Sequence, residues 1–119
     1  MVKSHGSPFT IEGSIWINKG EDCFIGPGRV ALLNVVIQEG SINAAAKKLN
    51  ISYQQAWKTI DQMNRLSPIP ILIPKRGGKD GGGVEPTAYG RKIIAEINRL
   101  EKEFSKFLLS INKEFDPCF

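Results

Sequence analysis
SINAAAKKLNISYQQAWKTIDQMNRL, residues 41–66, decides the fold. Ser41 can cap a short alanine-rich helix, INAAAKKL, because its hydroxyl can accept from an orphan N–H of the first turn. Asn50 and Ile51 interrupt it, and Ser52 offers a second cap to YQQAWKTIDQMNRL, where Ala56, Ile60 and Met63 share one face. Two capped helices across a turn of about three or four residues form a helix-turn-helix. At this spacing Trp57 reads as a core residue; the alternative is that Trp57 and Tyr53 stack on bases or ribose.

Upstream, Val30, Leu33 and Ile37 fall at helical spacing, with Leu32 and Val36 widening the stripe, and Gly40 supplies a stop. Before Pro27 and Gly28, the alternating stretch FTIEGSIWI and the short CFIG flank NKGED and read as a β-hairpin over 9–25. Downstream, Pro68, Pro70 and Pro74 leave Ile71–Ile73 as an edge strand. PKRGGKDGGG, residues 74–83, follows, and Val84 begins a returning strand. These strands form a hairpin wing over 71–85. Pro86 or Thr87 then opens a last helix spanning 87–115. The expected fold class is mainly α with small β elements: a single domain over 1–119, with a three-helix core at 28–66 between the first hairpin and the wing.

On that last helix Ile93, Ile97, Leu100, Phe104, Phe107 and Ile111 are spaced as an a/d seam. A helix of about 29 residues measures roughly 43 Å, longer than a core of this size covers. A homodimer through this seam is the preferred expectation; the alternative folds the helix back over its own domain, using Leu108 and Phe115 as well.

The 119 residues suit one hydrophobic core. Net charge is +4, but nine cations face three anions between Lys47 and Lys92, a local excess of +6. That asymmetry suggests a polyanionic partner for the middle of the chain; a solvated basic face is the equal alternative on charge alone. Cys23 and Cys118 stand too far apart in sequence to read as a disulfide framework, and no apolar run is long enough to span a bilayer, so a reducing, cytoplasmic setting is expected. The single histidine, His5, lies near the N-terminus, so histidine-based triads and metal sites lack their parts. No catalysis, metal or cofactor is expected.

Tyr53, Gln54, Gln55, Lys58, Thr59 and Gln62 lie off the buried stripe of the third helix. Glutamine can bond bidentately to adenine's edge, and lysine to guanine or phosphate, when a helix lies in the major groove. Gln and Lys are also ordinary exposed helix formers. What favours recognition is the order of parts: capped helix, tight turn, amide-bearing helix, basic wing, long helix. The glycines at 77, 78, 81, 82 and 83 permit close backbone approach to phosphate, while Lys75, Arg76 and Lys79 supply charge. No GxxxxGK[ST] pattern is present, which argues against a mononucleotide loop.

GSINAAAKKLNISYQQAWKTIDQMN at 40–64, followed by PKRGGKDGGGVEPTAYG at 74–90, resembles the N-terminal DNA-binding domain of the ModE family, molybdate-responsive regulators with a LysR-like winged helix-turn-helix. The resemblance runs from about Ile11 to Leu100. It implies a homodimer on double-stranded DNA, held by N- and C-terminal elements of the domain. It places Ser52, Tyr53, Gln54, Gln55 and Lys58 on the recognition helix and Arg76, Gly77, Gly78 and Lys79 on the wing. Ser41, at the first cap, joins this candidate DNA-binding set. Family members that sense the anion carry a molybdate-binding region beyond the long helix, whereas this sequence ends at Phe119. The expectation is therefore a stand-alone module without cofactor, served by a separate effector-sensing protein or by its own abundance. A protein-interaction scaffold built on the same fold is the alternative.

Overall fold
The computed structural model describes residues 8–75 and 83–118. Two compact units divide the chain: 16–94, and 1–15 together with 95–119. The larger unit carries the helix-turn-helix. Its elements run β1 (Ile17–Lys19), β2 (Asp22–Ile25), α1 (Pro27–Glu39), α2 (Ile42–Leu49), α3 (Tyr53–Leu66), β3 (Leu72–Pro74) and β4 (Val84–Pro86). A long helix, α4 (Ala88–Glu114), leaves this unit and supplies most of the smaller one.

Capping fixes the helix ends. Gly40 takes the left-handed conformation with φ 71° and closes α1 through its N–H to the Val36 carbonyl. Ser41 Oγ accepts from Ala44 N at 3.1 Å and starts α2. Asn50, at φ 57°, ends α2, and Ser52 Oγ accepts from Gln55 N at 3.0 Å to start α3. Residues 50–52 thus make the turn. Its tightness is matched by size: Ala45, Ala46 and Ala56 are buried, so small side chains occupy the inward faces of α2 and α3.

Phe24, Leu32, Leu33, Val36, Ile42, Ile60, Met63 and Ile71 fill the core around them. On α1 the buried centre is Leu32, Leu33 and Val36, with Val30 and Ile37 half-buried at its margins. The wing strands pair antiparallel, Leu72 opposite Pro86 and Pro74 opposite Val84. Thr87 both caps α4, accepting from Gly90 N, and donates its hydroxyl to the Pro70 carbonyl at 2.6 Å.

The first hairpin is shorter than the sequence implied. Strand pairing covers only 17–25, with a register irregularity between Ile17 and Asn18. The alternating residues up to Ile15 belong instead to the smaller unit, where their backbone meets α4. Asn112, fully buried, accepts from Ile11 N at 2.8 Å and donates to Ile11 O at 3.0 Å. A strand-like alternation can therefore serve a helix when a carboxamide satisfies its backbone. Phe9 meets Phe115 edge-on at 6.4 Å, and Phe104 lies against Gly13. Part of the α4 seam is consequently covered by the chain itself: Ile97 is buried, Ile93, Leu100, Phe104 and Ile111 are half-buried, and Phe107 is 56% exposed. Among the described residues no helix is long and apolar enough to cross a membrane.

Gly90 marks the tightest join in the larger unit, since a Cβ there would sit 2.2 Å from the Ile71 carbonyl oxygen. Backbone cannot yield as a flexible side chain would. Gly90→Ala is expected to destabilise by about 2 kcal/mol or more, lowering the melting temperature by roughly 10 °C, as read by circular dichroism.

Candidate nucleic-acid interface
Off the buried stripe of Ala56, Ile60 and Met63, α3 carries Tyr53, Gln54, Gln55, Trp57 and Lys58, all exposed. The side chains of Gln54, Gln55 and Lys58 make no hydrogen bond or ion pair to any described residue. Two amides and an ammonium are therefore available to an outside partner.

Trp57 is a correction. The core expected from its spacing is supplied without it, and it stands 46% exposed beside the buried stripe. One residue beyond Ala56 is about 100° further round the helix, enough to carry a large ring off the core.

Other members of the candidate set have structural tasks. Ser41 and Ser52 cap helices, and Thr59 donates its hydroxyl to the Gln55 carbonyl at 2.8 Å. Gln62 accepts from Arg29 at 2.6 Å, while the same guanidinium donates to Cys23 O at 2.7 Å, tying α3 to the first hairpin. At the end of α3, Lys19 donates to Leu66 O at 3.0 Å and places a cation where the helix dipole favours one.

Two polar devices that periodicity does not reveal seat the wing. Asn64 Oδ1 accepts from Ile71 N at 2.8 Å and Leu72 N at 3.2 Å, and its Nδ2 donates to Leu72 O at 3.1 Å. α3 and the first wing strand are thereby joined through one carboxamide. At the other strand, Val84 N donates to Gly40 O at 3.0 Å, Ser41 bridges Gly83, and Lys75 N donates to Gly83 O at 2.9 Å. The wing thus rises beside the N-terminus of α2, with Lys75 exposed at its base. Arg76, Gly77, Gly78 and Lys79 lie outside the described residues.

The charges around this face are unequal. Lys48 pairs with Glu39 at 3.3 Å and Arg65 with Asp61 at 2.9 Å, whereas Lys58 and Lys75 pair with no described carboxylate. Among the described residues, the carboxylate held below its usual range is Glu96, by its hydrogen bond to Arg99 on the exposed side of α4. It belongs to the smaller unit.

Residues 28–91, spanning α1 to the start of α4, match the model of the bacterial regulatory helix-turn-helix protein, lysR family. This chain belongs to that family. The chain is 46% identical over 80 residues to the molybdenum transport protein ModE of Azotobacter vinelandii, covering 67% of this chain and 30% of that protein. It is 44% identical over 79 residues to the transcriptional regulator ModE of Haemophilus influenzae, covering 66% and 31%. The molybdenum-pterin-binding protein MopB of Rhodobacter capsulatus is 40% identical over 96 residues, covering 79% and 36%. The LysR-family chain thus spans about a third of the length of these relatives. Its fold matches the DNA-binding domain of CbnR, solved with DNA, at a TM-score of 0.55 and 19% identity over 66% of this chain and 85% of that one. The BenM DNA-binding domain, also solved with DNA, gives 0.52 and 21% over 67% and 84%. The fold class expected from the sequence, a winged helix-turn-helix, is the one observed.

Asn64→Ala removes the acceptor of two part-buried N–H groups, which is expected to destabilise by about 2 kcal/mol. Hydrogen exchange at the Ile71 and Leu72 amides should accelerate beyond the global change; unchanged protection there would contradict the role given to Asn64.

Proposed function
We propose that the chain is a sequence-specific, double-stranded DNA-binding transcriptional regulator of the ModE type, acting as a cytoplasmic homodimer in the control of molybdate transport or molybdenum metabolism. The observation that carries this reading is the outward face of α3, where Gln54, Gln55 and Lys58 are free of internal partners on a helix whose opposite face is core. The names of the relatives supply the link to molybdenum. Bases are read by Tyr53, Gln54, Gln55 and Lys58, while Lys75, Arg76 and Lys79, with Gly77 and Gly78 allowing close approach, hold the phosphate backbone. Ser41, Ser52, Thr59 and Gln62 position these groups, and their outer atoms border the same groove.

In this reading the regulator carries out no chemistry of its own. Dimerisation uses the smaller unit. Phe107 is exposed there, and a second copy along the Ile93, Ile97, Leu100, Phe104, Phe107 and Ile111 seam covers it. Two recognition helices then meet half-sites one or more helical turns apart, about 34–36 Å per turn.

Gln55→Ala should alter the ranking of binding sites by about 1–3 kcal/mol, whereas Lys79→Ala should weaken every site alike and flatten the salt dependence. Equal and uniform losses from both changes would contradict the division of labour. Sedimentation at tens of micromolar should find a dimer; a monomer with α4 folded removes the proposed assembly.

A further inference from the structure
Tyr53 and Trp57 are four residues apart on α3 and so share one ridge of the helix. They are 51% and 46% exposed, and the core of the unit is complete without either ring. With Gln54 and Lys58 they line a shallow depression of about 210 Å³. It combines aromatic surface with an amide and an ammonium. The space falls short of the roughly 300–1,000 Å³ of a small-molecule site. A second copy docked through the same ridge would set Lys58 against Lys58, which disfavours that occupant. Lys58 instead suits a surface rich in phosphate.

Within the major groove one base bears an apolar substituent, the C5-methyl of thymine. We propose that the Tyr53–Trp57 depression receives this methyl group, so that the two rings set part of the sequence preference by apolar contact while Gln54 and Gln55 read hydrogen-bonding edges. The inference rests on the DNA-binding reading above. It adds a base identity and a mode of contact. Cytosine presents no methyl at that position, and the purines present their N7 edges instead.

Deoxyuridine isolates the contact, because it removes the methyl and keeps both the pairing and the groove hydrogen-bonding atoms. A duplex selected from a random-sequence pool by the full chain is resynthesised with each thymine replaced in turn, and affinities are measured by fluorescence anisotropy. Burial of one methyl group predicts about a fourfold loss at one thymine per half-site. Trp57→Ala should bind the parent duplex more weakly and lose this discrimination, and Tyr53→Ala should reduce it; either variant suffices if the other does not fold. Tyr53→Phe, which keeps the ring, should discriminate as the wild type does. Tight wild-type binding that is indifferent to every replacement overturns the methyl contact alone, as does undiminished discrimination in both alanine variants. Selection of no duplex at all overturns the DNA-binding reading and this contact with it.

Discussion
Close packing between α2 and α3 is the constraint on which the rest depends. Ala45, Ala46 and Ala56 are shut away from solvent, and a three-residue turn joins the helices. Larger side chains there would push the helices apart and rotate α3 about its axis. With the alanines in place, Ile60 and Met63 face the core, and the side carrying Gln54, Gln55 and Lys58 faces out. The orientation of the candidate interface follows from three small buried residues.

Polar contacts then fix what packing leaves loose. Hydrophobic contact is non-directional, so it can bury β3 without setting its height against α3. Asn64 sets it by taking both N–H groups at the start of the strand, and Gly40 and Gly83 anchor the opposite strand at the α1–α2 turn. Arg29 performs a similar task at the first hairpin, holding two of its carbonyls together with Gln62. Such bonds are directional, and each engages a group that would otherwise need water. α3 and the described base of the wing are thus tied together by directional bonds.

Much of this was legible in the sequence because it is written locally. Ser41, Ser52 and Thr87 announce helix starts, Gly40 announces an end, and the period of Ala56, Ile60 and Met63 separates core from surface. What was not legible depends on partners distant in the chain. Alternation before Ile17 reads as strand, yet its backbone is met by Asn112, 101 residues from Ile11. Trp57 reads as core at its spacing, but three smaller residues already fill that role and helical geometry turns it outward. Gln62 reads like its neighbours Gln54 and Gln55 until Arg29, 33 residues earlier, is seen to hold it. Periodicity sorts residues by face and cannot say which polar groups on a face are already engaged.

The central claim, that this face and the wing base present unpaired cations to a duplex, is tested most directly by the salt dependence of binding. Affinity for a selected duplex, measured between about 50 and 200 mM salt, should fall linearly on logarithmic axes with a slope of about −0.9 for each phosphate neutralised. A slope corresponding to several phosphates, reduced by about one unit when Lys75 is replaced by alanine, is the predicted result. Binding that is weak and independent of salt in the unaltered protein would contradict the account.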